Sequence, residues 1–505
     1  MDLNKAMCLG VKGESGVVIG GWLLSVCSKG FWLAVFVVIF FLLCAGSLFY
    51  YPGSVLVLLC FQLVFLLMFV LAWVRPFVYS HFFLILFLFL GFCLKFNAHL
   101  FFDYPFVEPV GDFSGSPQEW DRALAGGAAA ALGVVVFKFL QLIWYYFYPS
   151  VRSAAGQLVP NWYLRFPGFM WVSLILFSVV LYVTNYFFAF YQTGVNSRLV
   201  LPFGLGAVFA WLCYCGSIIV FYLMLDWEYF RRKDRTWPLV WSLCLLGVLV
   251  SVSLLSRATV VLLFLSFSMV LIFHKKDLLL QLWGSWRWRI LVLPVLSLFI
   301  SLVLVSWFRM NTYHYESSAV SAMPVPERST ASQIEPSPLE GTGMTPTLMF
   351  VEVMRLGVDR WIGLEGMLVF AASDARGLPV FKSILSESPG TGINSIFQQL
   401  SNSPYKLMKD FTYLTLPGAS ALLFSSGSLM ITFGGMLLLA MFLSLFECFT
   451  FWASQSRFVT SWMGVLMANA VCQMSFPYLW GVFVVESFLA LCTLAFIIRR
   501  PQGEH

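Results

Sequence analysis

The chain has 505 residues, of which 60% are hydrophobic and only 11% charged, with a formal net charge of +6 and a mean hydropathy of +0.86. This balance excludes a soluble globular protein, and the apolar runs are continuous rather than alternating, which excludes an outer-membrane barrel. The modest positive charge suits loops that face anionic lipid and gives no reason to expect a nucleic-acid partner. What remains is an all-α, polytopic integral membrane protein in contact with membrane lipids.

Residues 1–30 carry Lys5, Lys12 and Lys29 around a short apolar segment at 17–27. That segment is too short to cross a hydrocarbon core of ~30 Å and lacks a small-residue cleavage site, so it reads as a cytoplasmic or interfacial N-terminus. Beyond it, windows of about nineteen residues predict about twelve spans. Their limits are 31–50, 54–73, 76–94, 123–149, 168–190, 199–225, 237–255, 258–274, 290–308, 431–453, 459–476 and 478–498. Nine spans occupy 31–308, a large loop occupies 309–430, and three spans with a short tail occupy 431–505.

Lysine and arginine orient this arrangement. With the N-terminus inside, the short inside segments collect about seventeen of them, including Arg75, Arg152, Arg165, the cluster from Arg231 to Arg235, Arg457, Arg499 and Arg500. The short outside segments hold Lys95, Arg122, Arg198 and Arg257. That asymmetry puts both termini in the cytoplasm and the large loop outside, in a bacterial periplasm or its equivalent. None of the eleven cysteines falls in 309–430, which argues against a disulfide-stapled outer domain. Cys213 and Cys215 lie mid-span without a nearby histidine and read as packing residues rather than metal ligands.

Two outside segments are longer than turns. Residues 95–121 place Asp103, Glu108, Asp112, Glu119 and Asp121 among aromatics, as an acidic cap. In the large loop, 316–346 is rich in Ser, Pro, Thr and Gly and reads as a flexible crossing. Residues 347–372 are apolar with charges set into them, as expected of a helix lying against or dipping into the membrane surface. Residues 390–427 repeat Gly, Pro, Asn and Ser. Such backbone is tolerated at membrane depth only when buried in protein or lining a wet cavity.

The charges in these segments are the candidate functional groups. Arg257 is the only charged residue between Trp237 and His274; it either snorkels to outer headgroups from a turn or serves a site. Arg309 follows a span in an aromatic belt, as an anchor or an anion ligand. His314 is either a solvated histidine or a catalytic base. On a helix, Glu352, Arg355 and Asp359 share one face, whereas Arg360 points roughly 140° away from Arg355. Arg355, Arg360 and Arg376 thus cluster on a face poor in cations, and guanidinium forks suit phosphate or pyrophosphate. The outer loops carry no DxD-like pair, no metal-ligand spacing, no Walker loop and no GxSxG. A reaction without a metal or other cofactor, or no reaction, is the expectation; in the first case arginines can stabilise leaving phosphates.

Several segments together resemble the O-antigen polymerase (Wzy-type) family, the oligosaccharide repeat unit polymerases of bacterial surface polysaccharides. They are the span plan, Leu255-Ser256-Arg257, the segment from Arg360 to Gly366 (RWIGLEG), the segment from Leu416 to Ala421 (LPGASA), and an arginine and glycine ten residues apart at Arg355 and Gly366. The resemblance implies a GT-C-like membrane glycosyltransferase of the bacterial inner membrane with a periplasmic active site. Its donor and acceptor would be undecaprenyl-pyrophosphate-linked oligosaccharides, and its product an O-antigen of lipopolysaccharide or an exopolysaccharide. A chain-length regulator is a partner the resemblance also implies. On this reading Arg257, Arg355, Arg360, Arg376 and Arg309 hold pyrophosphate, and Glu365 or His314 positions or deprotonates the acceptor hydroxyl.

Two rivals remain. An O-antigen ligase shares the plan but looks for a functional histidine where the loop returns to the membrane, and residues 405–416 offer Lys406, Lys409 and Asp410 instead. A flippase or other transporter would use intramembrane charges, here Lys138 and Glu486, with Glu447 nearer an inner end.

Overall fold

In hydrocarbon a backbone must satisfy its N–H and C=O groups internally, and for continuous apolar sequence the α-helix does so. The computed structural model describes residues 38, 40–102, 106, 108–147, 159–194, 199, 201–231, 237–274, 292–308, 357–358, 361–403 and 414–499. These residues are helical with connecting turns, and none forms an extended strand.

The first helices are α1 (Phe40–Tyr50), α2 (Val55–Ala72) and α3 (Tyr79–Leu88), the last continuing through a π turn, Phe89–Leu94, into α4 (Lys95–Phe102). Then come α5 (Pro117–Phe147), α6 (Asn161–Arg165) and α7 (Pro167–Phe188). α8 (Leu205–Trp211) runs through a second π turn, Leu212–Gly216, into α9 (Ser217–Arg231), followed by α10 (Trp237–Ser253), α11 (Arg257–Phe273) and α12 (Val292–Phe308). The loop contributes α13 (Leu364–Ala372), α14 (Leu378–Leu385), α15 (Ile396–Leu400) and α16 (Gly418–Phe424). The chain then continues as α17 (Leu429–Ser454), α18 (Arg457–Cys472) and α19 (Pro477–Arg499).

Among the described residues, seven stretches are long and apolar enough to cross a membrane: Val55–Ala72, Tyr79–Phe102, Pro117–Tyr146, Pro167–Phe188, Pro202–Arg231, Leu429–Ser454 and Pro477–Arg499. α1, α11, α12 and the Val240–Ser253 part of α10 are apolar but shorter. The span expected at 459–476 is α18, which stops at Cys472 because the chain turns ahead of Pro477, the first residue of α19. Its 16 residues rise only about 24 Å, less than a bilayer core. The interfacial segment at 17–27 and the crossing at 316–346 lie outside the described residues.

Burial sorts the bundle. Tyr79–Phe102 is 78% buried over its most apolar window, against 22% for Pro167–Phe188 and for Pro477–Arg499. The first is therefore the central helix and the other two are peripheral. α5 packs against α2 and α17 through small residues: Ala123, Ala130 and Ala131 are buried, and a side chain at Gly133 would collide with the Phe433 carbonyl of α17. Close backbone approach of this kind drives helix association where lipid removes the hydrophobic difference.

The central helix does not start at the bundle surface. A Cβ at Gly464, seven residues into α18, would lie 2.9 Å from the Ser80 nitrogen, so α3 begins about 10 Å inside that end. Its first N–H groups need an acceptor, and Glu447 supplies one: Tyr79 N–H donates to Oε1 at 2.9 Å and Ser80 N–H to Oε2 at 2.6 Å. Lys138 donates to the Pro76 carbonyl at 2.7 Å and to Gln141 at 3.1 Å. Two of the intramembrane charges named above are thus fixed to the α3 terminus.

At the other end the large loop folds back in. The Gly418 N–H donates to Met474 O at 3.1 Å, just beyond α18, and the Ile362 carbonyl lies against Gly91, halfway along Tyr79–Phe102. From that level α13 and α16 climb to the surface, where Gly377 N–H meets Ser425 O at 2.8 Å. They are half-helices filling the space above the short α18. The helix expected at 347–372 to lie against or dip into the membrane surface is, over Leu364–Ala372, buried within the bundle. Of the irregular return expected at 390–427, the described part contains the 3-10 turn Pro389–Asn394, α15 and α16.

Candidate functional site

α13 is placed by two close backbone approaches. Gly91 and Gly363 face each other so tightly that a Cβ on Gly363 would sit 2.6 Å from the Phe92 ring, and one on Gly91 would overlap Ile362 O. Trp361, just before, stacks on Phe87 at 5.6 Å. Gly366 then receives α16, whose Pro417 O would lie 2.5 Å from a Cβ there. The π turn beside Gly91 shifts the phase of the central helix, a distortion often found at functional positions.

One turn beyond Gly91 the helix presents Lys95, and the first turn of α13 presents Glu365. Lys95 Nζ donates to Glu365 Oε1 at 2.5 Å, with side chains 0% and 5% exposed. The carboxylate also sits at the positive end of the α13 dipole. A buried ion pair in a half-helix is costly to form and more costly to break on one side only.

Next to Lys95 is a second polar group spanning α1, α2 and α4. Gln62 Nε2 donates to Asn97 Oδ1 at 2.8 Å, Asn97 Nδ2 to Cys93 O at 2.7 Å, Cys93 Sγ to Gln62 Oε1 at 3.2 Å, and Ser47 Oγ to Asn97 Oδ1. All four side chains are mutually bonded; His99, nearer the surface, stacks on Phe106 at 4.0 Å.

A lid lies over this layer. Gln398 exchanges two hydrogen bonds with the Thr415 backbone, at 2.6 and 3.1 Å, and Phe397 packs on Phe370 of α13 at 5.6 Å. The acidic cap joins it: Gly111 N–H donates to Ser401 O, and Asn402 Nδ2 to Asp112 at 2.8 Å. Other cap carboxylates are engaged locally, Glu119 by the Ser114 N–H and hydroxyl at 2.9 Å, and Asp121 by Tyr51 Oη at 2.7 Å and Ser54 N–H at 2.8 Å.

Among the sequence-predicted site residues, Glu365, Arg257 and Arg376 are described; His314, Arg309, Arg355 and Arg360 lie outside the described residues. Arg257 opens α11, whose far end bonds to the start of α3 through Tyr79 Oη and His274 Nδ1 at 2.7 Å. Arg257 therefore stands at the same end of the bundle as Glu365 and the lid, after a sharp turn with Leu255 at φ 50°. Arg376 is half-buried between α13 and α14. Burial and the neighbouring Arg122 guanidinium pull its pKa below the ordinary arginine value, opposed by Asp374. Lys95 is the residue that sequence reading passed over, counted there as an outer-loop cation. The available signal was a lone lysine in a Phe/Leu run matched by a lone glutamate in another. Compared with protein families, with curated proteins and with solved structures, the chain matches none.

Proposed function

We propose that the protein is a membrane glycosyltransferase that joins lipid-pyrophosphate-linked oligosaccharide repeat units into a surface polysaccharide. In this reading about twelve helices form a GT-C-like body with both termini cytoplasmic. The observation that carries it is the re-entry of the large loop, which sets Glu365 beside Lys95 under a lid at the end of the bundle where Arg257 and Arg376 also stand. A site there lets the isoprenoid tail stay in lipid while charged and sugar groups meet protein. The arginines bind the donor pyrophosphate and stabilise it as leaving group; Glu365 orients the acceptor hydroxyl once substrate or loop movement opens its pair with Lys95. The fixed bonds of Lys138 and Glu447 to the α3 terminus favour this reading over transport, since those charges brace a helix end.

Extension of a synthetic lipid-linked repeat unit by the purified protein in EDTA tests it. A ladder of products is expected, and Glu365→Gln should lower its rate by about 100-fold or more. Transfer to a lipid A core acceptor alone identifies a ligase; movement of the unit across a liposome without lengthening identifies a flippase.

A further inference from the structure

Arg122 belongs to no part of the site described so far, yet the structure brings it to Arg376. It lies in the second turn of α5, exposed, one turn before Gly126, where a Cβ would sit 2.9 Å from the Phe424 ring at the end of α16. Arg376 reaches the same corner from the other side: a Cβ at Gly427 would be 4.0 Å from its Cγ, and Gly377 N–H is bonded to Ser425 O. The Arg122 guanidinium is close enough to weaken the proton affinity of Arg376.

Two like charges brought together at a corner call for an anion between them, and the nearby carboxylates are not it. Asp121 is spent on Tyr51 and Ser54, and Glu119 on Ser114. Asp374 is close to Arg376 but forms no ion pair with it, and among the described residues Arg122 has no ion pair either. The level of the corner identifies the source of the anion. The adjoining α14 exposes Leu378 and Leu385 beside Lys382, the pattern of a short helix seated at a bilayer surface. A helix of that pattern sits at headgroup depth, where lipids carry their phosphates.

We propose that Arg122 and Arg376 form one clamp for a lipid-borne phosphate, each guanidinium taking oxygens from opposite sides. The inference rests on the glycosyltransferase reading only in naming the lipid pyrophosphate as its working ligand. An ordinary anionic headgroup offers the same chemistry.

The full-length protein in phosphatidylcholine nanodiscs is titrated with inorganic pyrophosphate at constant ionic strength, following the thermal midpoint. A rise is expected, with apparent affinity weakened about tenfold or more in both R122Q and R376Q and partly kept in R122K. A second arm replaces part of the lipid with phosphatidylglycerol. If phosphatidylglycerol itself raises the midpoint and blocks pyrophosphate, both effects being lost in the two variants, the clamp holds a headgroup. A pyrophosphate response indifferent to phosphatidylglycerol assigns it to the lipid pyrophosphate. Variants that respond like wild type in both arms, or loss in only one of the two, overturn the clamp. The unliganded midpoint verifies that each variant is folded. Because binding is the readout, a protein that binds pyrophosphate through both arginines yet extends no glycan would sink the polymerase reading and leave the clamp standing.

Discussion

At the scale of single residues, the Lys95–Glu365 pair is the most consequential contact described. Replacing Lys95 by methionine leaves a buried carboxylate without its ammonium, and a loss of about 3–5 kcal/mol is expected. Replacing both by methionine should restore most of it, because two apolar side chains of similar volume avoid the desolvation cost altogether. Thermal unfolding of the single and double variants in nanodiscs checks this. A double variant no more stable than Lys95→Met would mean that the pair is not mutually dependent. Glu365 was legible in the sequence as a charge inside an apolar segment, since apolar neighbours on both sides make any charge conspicuous. Its partner was not, because 270 positions separate the two and no local pattern joins them.

At the scale of elements, the half-helices α13 and α16 hang on glycine contacts. Gly418 has φ +74° and would place a Cβ 2.6 Å from Cys472 O. Gly418→Ala therefore meets both left-handed strain and a backbone collision, and should cost at least about 2 kcal/mol while displacing α16. Gly434, in the second turn of α17, has nothing within 4 Å of a Cβ. Gly434→Ala should instead be neutral or stabilise by up to about 1 kcal/mol. Calorimetry of the two variants separates the cases, and equal effects would remove the argument that α16 is locked onto α18. The apolar run at 364–372 is readable as a helix from its composition, but whether it lies on the surface or inside is not. A surface helix and a re-entrant one share a sequence pattern, and the Gly91–Gly363 and Gly366–Pro417 approaches place this one within the bundle.

For the whole molecule, the charge asymmetry predicts which end faces the cytoplasm. In a cysteine-free variant, a cysteine at exposed Ser383 should react in intact cells with a membrane-impermeant maleimide. One at exposed Asn161, near the opposite end, should react only after lysis, and a C-terminal fluorescent-protein fusion should fluoresce. The opposite labelling pattern would invert the expected orientation and remove the proposed periplasmic placement of the site. The sequence by itself determined that the chain is helical and membrane-embedded, where most helices run, and that one large loop interrupts them, because hydropathy and span length are local properties of the chain. Tertiary structure alone decided that α3 starts inside the bundle on the Glu447 carboxylate, that the loop re-enters above a short α18, and that Lys95 meets Glu365. Each of those depends on which distant backbones can approach and on which buried charge has a partner, and neither is written in any one segment.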